Sequence, residues 1–409
     1  MRKIRILPPL LLLLALSAGS PLHAQTLQAC LDYAQEHSLR LVRADLGTQK
    51  AKSLEGSAFD PGRTGLSLSQ DPTSGGSPDN ALTLSQELDF PTVYVSRRKQ
   101  LEADTRVQES RLLLTGSELR RDVSSAYCTL LLKKHIVELL SHQEAALEEF
   151  VRLSEARFGQ GETNRLEVIN ATRMRAGNAV RLQEARNEER EAATLLQQLM
   201  NTSVDIVPTD AYLCVREDPE EYAFEQTPAG ILSESEIALS ERTLALTRQE
   251  GYLPSFSLGV RHQLVLPGVN PYQVDRTPFD KGNWMGFEVG MAIPLFYGSQ
   301  KRKAAAARYD ADMARVSQQE ARIAYETRLS VARDKLGTAR RTYNYFVAEA
   351  LPQAEEIRTL SGIEYGAGSI SYVEYIQNLT TALETEIDAA RAADTLNQAI
   401  IEINFIKGN

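Results

Sequence analysis

Two segments follow one pattern: Phe158-Gly-Gln-Gly-Glu-Thr-Asn-Arg-Leu-Glu-Val-Ile-Asn170 and Tyr365-Gly-Ala-Gly-Ser-Ile-Ser-Tyr-Val-Glu-Tyr-Ile-Gln377. Aromatic, Gly, Gly, aliphatic, Glu and Ile recur in register at a separation of 207 residues (158 to 365). Internal repetition of this kind governs the whole fold, so the rest of the chain is interpreted around it. Upstream, Leu84 to Pro91 followed by Ser96-Arg97-Arg98-Lys99 is echoed by Phe287 to Pro294 followed by Ser299-Gln300-Lys301-Arg302, now 203 residues apart (91 to 294). Earlier still, Phe59-Asp60-Pro61 matches Tyr252-Leu253-Pro254. The two separations differ by about one helical turn, which returns the same helix face to its neighbour.

From Thr92 to Val207 there is no proline, and Gly116, the Gly159/Gly161 pair and Gly177 are the only breaks in a stretch rich in strong helix formers. It predicts two long helices joined at the glycine pair, the first over about 95–157 and roughly 95 Å long at 1.5 Å per residue. Apolar or small residues at near-heptad spacing, Val123, Tyr127, Leu130, Val137 and then Leu166, Ile169, Ala176, Val180, predict a coiled-coil seam. The second copy predicts helices over 299–364 and 371–405, with a kink at Pro352.

Before each hairpin the period falls to two. Leu66 and Leu68, then Leu82 and Leu84, alternate with Ser and Thr; Phe256, Leu258, Val260, Leu264 and Leu266 alternate with Ser257, Gly259, Arg261 and Gln263; Met285, Phe287, Val289, Met291 and Ile293 alternate with Gly286, Glu288, Gly290 and Ala292. Four strands of about ten residues with one apolar face have the length and dyad pattern of transmembrane β-barrel strands. Phe59, Phe90, Tyr94, Tyr252, Trp284, Phe296 and Tyr297 stand at their ends, where interfacial girdles lie. A soluble sandwich has the same alternation but needs a second sheet, and the flanking helices leave none; lipid is the cover this pattern predicts.

Residues 1–24 carry a basic start, an apolar centre and a small-residue exit, the layout of a secretory signal cleaved after Ala24. Leu27-Gln28-Ala29-Cys30 has a weak lipoprotein-like look, but Leu31, Tyr33 and Ala34 continue a helical pattern. With 45 basic and 54 acidic residues the net charge is −9, which disfavours nucleic acid as a partner. Cys30, Cys128 and Cys214 are too scattered for a disulfide scaffold, and the five histidines form no ligand-spaced cluster, so no metal or cofactor is predicted. His135 and His142, seven apart, read as helix-surface or seam residues, and Cys128 as a packed small hydrophobe. No catalytic constellation or ATP-binding loop is visible, and the chain reads as no enzyme.

Strand pairs ending at Pro91 and Pro294, long hairpins turning at Phe158-Gly-Gln-Gly and Tyr365-Gly-Ala-Gly, and the duplication resemble the TolC family of outer-membrane efflux proteins over essentially the whole mature chain. Ile293-Pro-Leu-Phe-Tyr-Gly, Leu351-Pro-Gln-Ala, the Tyr365 segment and Leu396-Asn-Gln-Ala-Ile-Ile-Glu-Ile resemble its heavy-metal efflux (CusC/CzcC-like) branch. The resemblance implies an α+β membrane protein of a Gram-negative outer membrane. An open four-stranded sheet in lipid must close with others. Three chains give a 12-stranded barrel, continued by a long α-helical periplasmic tunnel. The divisions are a signal peptide at 1–24, a first repeat at 25–199, a linker at 200–231 belonging to an equatorial belt, and a second repeat at 232–409. The implied partners are two further copies, a periplasmic adaptor and an inner-membrane pump of the RND type, with this chain conducting solute passively. The alternative is the periplasmic adaptor itself, but adaptors carry one hairpin where this chain has two in tandem.

By the same resemblance, Glu374 and Gln377 stand at constriction positions of the tunnel entrance, with Glu167 and Asn170 their counterparts in the first copy, and Ile370 replaces an arginine of the family's entrance lock. Three Glu374 carboxylates on a three-fold axis would favour cations and raise one another's pKa. Gly159, Gly161, Gly366 and Gly368 are expected to permit the helix reversals through positive φ, and the tips they form to meet the adaptor. By resemblance the N-terminal segment from Leu27 and the C-terminal end join the 200–231 linker in the belt, so Cys30 and Cys214 both fall there, where an oxidising periplasm permits a disulfide. Segments 71–79 and 267–282, rich in Gly, Pro and Asp, are expected to face outside.

Overall fold

The computed structural model describes residues 25–71, 79–220, 222–264 and 285–408. The expected leader over 1–24, most of the 71–79 segment, the 267–282 segment, Leu266 and Trp284 lie outside the described residues. The elements in order are α1 (Leu27–His37), α2 (Leu39–Glu55), β1 (Gly65–Asp71), β2 (Asp79–Leu88), α3 (Pro91–Gly159), α4 (Arg165–Met200), α5 (Pro228–Tyr252), β3 (Ser255–Leu264), β4 (Met285–Ala292), α6 (Gly298–Tyr345), α7 (Leu351–Gly366) and α8 (Tyr372–Lys407). Two compact units gather these elements: 25–38, 119–217 and 333–403 in one, 39–118, 218–332 and 404–408 in the other. Each takes parts of both sequence repeats, and α3, α6 and α8 lend residues to both.

The first unit is helical, and apolar clusters among its described residues pack the helices together. Ile136 and Leu140 of α3 meet Leu182 and Ala185 of α4 and Leu383 and Ile387 of α8; nearer the turns, Leu147 and Phe150 meet Ala171, Tyr372 and Ile376. On α3 the predicted seam holds, with Val123, Tyr127 and Leu130 buried. On α4 it fails, because Leu166, Ile169, Ala176 and Val180 all lie exposed. The packed face carries Ala171, Asn178, Ala185, Ala192 and Leu199, a strict seven-residue step, with Leu182 and Leu196 between them. Small side chains let helices approach closely, so this seam runs through alanines and the larger apolar residues form a second, uncovered stripe. Asn201 ends α4 at φ 54°, a left-handed cap that Asn tolerates.

The second unit contains one antiparallel sheet in the order β1-β2-β3-β4. Its register sorts the side chains. Leu66, Leu84, Val260 and Phe287 form one cross-strand row, and Leu68, Leu82, His262 and Met285 the next. Leu258 with Val289 and Phe256 with Met291 continue the same face. The opposite face carries Ser67, Thr83, Arg261, Gly286 and Gly65, Ser85, Gly259, Glu288. Polar residues also occur on the apolar side, Gln86 and His262 among them; Gln86 accepts a hydrogen bond from Thr64 Oγ1 at 2.7 Å. The apolar side is open: Phe287 is 81% and Val289 77% exposed.

The helices leading into the strand pairs extend the duplication upstream. Lys52 of α2 pairs with Glu109 of α3 at 2.9 Å, and α5 meets α3 through Ser110 and Ser235 at 2.9 Å and Arg111 and Glu236 at 3.0 Å. α5 begins inside the segment predicted as linker, at a clear start signal: Thr227 caps it, accepting from Gly230 N–H at 3.1 Å, and Pro228 occupies the first turn. α3 likewise opens on Pro91, four residues earlier than expected. At Pro352 the chain inserts a π-helical turn, Phe346–Ala350, before α7. Proline has no N–H and clashes with the carbonyl four residues back, and a π-turn is one way a helix absorbs that defect.

Two glycines separate packing from propensity. A Cβ on Gly230 would stand 1.9 Å from the Phe224 carbonyl oxygen, whereas one on Gly177, within α4, would meet nothing within 4 Å. Gly230→Ala is expected to cost about 1–3 kcal/mol through overpacking, and Gly177→Ala to stabilise by up to about 1 kcal/mol. Denaturant unfolding of the two variants in detergent checks the opposite signs.

Candidate functional site

The two helix reversals are hydrogen-bonded copies of one another. In the first, Gln160 N–H donates to Ala156 O at 3.1 Å, Gly161 to Phe158 O at 3.0 Å and Glu162 to Arg157 O at 2.9 Å; in the second, Ala367 donates to Ile363 O at 3.0 Å, Gly368 to Tyr365 O at 3.0 Å and Ser369 to Glu364 O at 2.9 Å. Every donor and acceptor is displaced by the same 207 positions that relate the motifs. Gly161 (φ 76°) and Gly368 (φ 73°) supply the left-handed step. Gly159 and Gly366 do not: they are the last residues of α3 and α7, a correction to the expectation that all four need positive φ.

The outgoing helices are capped alike at first and then diverge. Asn164 Oδ1 accepts from Glu167 N–H at 3.1 Å, and Ser371 Oγ accepts from Glu374 N–H at 3.3 Å. In the second copy the Glu374 carboxylate also reaches back, accepting from Ser371 N–H and Oγ, both at 2.8 Å, which completes a reciprocal capping box. These bonds hold its carboxyl below the usual carboxylate range. In the isolated chain the shift is therefore opposite to that expected of a crowded ring. Glu374, Gln377 and Asn170 are exposed.

Glu167 takes another course. Its side chain is 15% exposed, hydrogen-bonds Thr163, and lies 3.7 Å from Arg157. Arg157 also donates to the Tyr365 hydroxyl at 3.2 Å, so it bridges the end of α3 to the end of α7. Around this bridge Tyr365 stacks on Tyr375 at 4.6 Å and Phe150 on Tyr372 at 4.0 Å. The buried Tyr372 hydroxyl has its pKa pushed up by burial and then by the Glu167 charge. The candidate residues of the two copies thus share one end of the helical unit, joined by an arginine and tyrosines absent from the predicted set. Arg157 directly before Phe158 and the tyrosines at 365, 372 and 375 were the available signal. Beside this cluster a groove of about 740 Å³ runs along α3, α7 and α8, lined by His135, Leu139, Phe150, Arg358 and Leu383 among others.

The cysteines do not pair as expected. Cys214 Sγ lies 3.1 Å from Cys128 Sγ, while Cys30 is fully buried on α1 with its thiol donating to Gln25 Oε1 at 3.4 Å. All three are free thiols. Among the described residues no group of three or more His, Cys, Asp or Glu could hold a metal ion, and no helix is long and apolar enough to cross a membrane.

No family model matches the chain, and no curated protein matches it by sequence. Solved structures do. The Campylobacter jejuni CmeC outer membrane channel is similar at a TM-score of 0.77 and 16% identity, covering 93% of this chain and 85% of that one. The open state of the Neisseria gonorrhoeae MtrE outer membrane channel follows at 0.76 and 16%, covering 94% and 89%. CusC matches at 0.77 and 14%, covering 94% and 92%. The fold of this chain is the fold of these channels, with four strands and long helices per protomer. CusC is no more similar in sequence than the other two, so the likeness does not single out a heavy-metal branch.

The capping box makes the start of α8 pH-sensitive. Because the folded pKa of Glu374 lies below its ordinary value of 4.5, the stabilisation is present above that pH and is lost as pH falls through the depressed value. The protection factors of the 371 and 374 amides, corrected for the intrinsic pH dependence of exchange, are expected to fall severalfold at the acidic end, and in Ser371→Ala to be low already at neutral pH.

Proposed function

We propose that this chain is a TolC-family outer-membrane efflux channel that assembles as a trimer and passively conducts solute delivered by an inner-membrane pump of the RND type through a periplasmic adaptor. The observation that carries the proposal is the open four-stranded sheet, with an uncovered apolar face and two unpaired edges among the described strands. In water such a sheet aggregates; in lipid its apolar face is solvated, but each unpaired edge group costs several kcal/mol. Closure with two further copies satisfies both demands in a 12-stranded barrel whose serine-, glycine- and charge-bearing face lines an aqueous channel.

The helices support the same assembly. Leu166, Ile169 and Val180 on α4, and Tyr309, Met313, Val316 and Ile323 on α6, form exposed stripes at coiled-coil spacing. Neighbouring copies would cover them. Two tandem hairpins beside four strands favour the channel over the adaptor alternative. The reversal tips at Gly159/Gly161 and Gly366/Gly368 then offer the adaptor its contact, and the Arg157 bridge to Tyr365 ties the hairpins at the entrance. Glu374 is the candidate cation-selective ring: its bonds to Ser371 keep each carboxylate ionised, as such a ring requires. Transport in this scheme needs no catalytic chemistry from the chain itself.

Fractionation tests the assembly: the protein is expected as a detergent-extracted trimer from the outer membrane, and recovery as a soluble monomer would overturn the reading. In planar bilayers Glu374→Gln is expected to move the reversal potential toward zero with trimerisation unchanged. Unaltered selectivity would remove Glu374 from the ring and leave Glu167 as the next candidate.

A further inference from the structure

Two of the three cysteines stand in contact across 86 positions of sequence. Cys128 is buried on α3, and Cys214 is half-buried in the irregular segment after α4. The contact is fixed from both sides by one residue of α8. Asn397, itself 1% exposed, donates from Nδ2 to the Tyr212 carbonyl at 2.6 Å and accepts at Oδ1 from Val215 N–H at 3.4 Å. The Tyr212 hydroxyl bonds His135 of α3, and Tyr127, one position before Cys128, donates to Asp210 at 2.9 Å. Cys214 is therefore clamped over Cys128 by bonds that do not involve sulfur.

We propose that Cys128 and Cys214 are a thiol–disulfide exchange site, oxidised to a disulfide by a protein-borne disulfide oxidant, with Cys30 remaining a free thiol. The sulfurs at 3.1 Å are closer than the about 3.8 Å expected of two thiolates sharing a tetrahedral metal at about 2.3 Å. No third ligand group stands by among the described residues. Cys214 is the attacking residue because it is the more exposed of the pair, and the hydrogen bond from Cys128 lowers its pKa. Its thiolate attacks one sulfur of the oxidant's disulfide, giving a mixed disulfide and one oxidant thiol. Cys128 then gives up its proton, bonds to Cys214 Sγ and displaces the oxidant's second thiol. Two S–H bonds are lost, one S–S bond forms, and two electrons and two protons pass to the oxidant. Cys30 stays out of this exchange: burial pushes its pKa up to about 12, which keeps it protonated.

The bond would close a loop over 128–214, which contains the second half of α3, the first reversal and all of α4, and would fasten the inter-repeat segment to the middle of α3. Encounter with the oxidant rests on the extracytoplasmic location proposed above; the pairing itself does not. The test uses the full-length protein purified from membranes without reductant, denatured and alkylated with maleimide. One adduct before reduction and three after, with a cross-linked peptide pair containing Cys128 and Cys214, is expected. A parallel sample is reduced, refolded in detergent and exposed to oxidised glutathione. Formation of the same pair there but not in the purified protein would uphold the pairing and overturn the location. Three free thiols in both samples, or a bond that includes Cys30, would overturn the pairing. Cys30→Ser is expected to keep the linkage and Cys128→Ser to lose it. Asn397→Ala, which frees both flanks of Cys214, is expected to slow oxidation by glutathione severalfold without changing which cysteines pair; an unchanged rate would contradict the clamp.

Discussion

An open sheet cannot leave its edge amides unpaired where water is excluded, and the rest of this molecule can be understood from that constraint. β1 and β4 each present a row of backbone donors and acceptors, while Leu66, Leu84, Phe287 and Val289 present an apolar surface. Covering the face alone, by a helix or a second sheet, would leave the edges; pairing the edges alone would leave the face. In the proposed assembly, lipid on one side and a neighbouring copy at each edge would meet both needs together. The helical segments show the same pattern, since large apolar residues on α4 and α6 lie exposed while the intrachain seam of α4 runs largely through alanines.

Duplication supplies the second organising rule. One arrangement of six backbone groups turns the chain at Gly161 and again at Gly368, and Asn164 and Ser371 start the next helices in the same way. The copies then use the matched glutamates differently. Glu374 is spent on its own helix terminus and stays exposed, whereas Glu167 turns inward toward Arg157 and Tyr372. A shared backbone scaffold with divergent side chains lets one end of the helical unit hold both a fixed bridge between hairpins and a carboxylate facing solvent.

Much of this was legible in the sequence, for physical reasons. Period-two alternation located all four strands because one face of each is mostly apolar, and the glycine pairs marked both reversals. Heptad spacing found the buried side of α3 but the wrong side of α4, since periodicity ranks residues by size and the packed seam there is Ala171, Ala185 and Ala192. α5 was not anticipated: only 228–231 fall in the segment read as linker, and over 232–252 serines and threonines, weak helix formers, interrupt the apolar pattern. In the structure Ser235, Ser240, Thr243 and Thr247 each return a hydrogen bond to the carbonyl four residues back, at 2.8 to 2.9 Å. The Cys214 contact and the Arg157 bridge depend on segments far apart in sequence, and no local pattern encodes such distances.

Edge closure is the central claim, and cross-linking measures it most directly. Ser67 on β1 and Gly286 on β4 share a cross-strand row at opposite edges of the sheet, about 14 Å apart within one chain at ~4.8 Å per strand. With the three native cysteines replaced by alanine, Ser67→Cys and Gly286→Cys would be joined in membranes by a bis-maleimide shorter than that span. The account predicts covalent dimers and trimers on a denaturing gel and nothing larger. Monomers alone, or a ladder continuing past three, would contradict it.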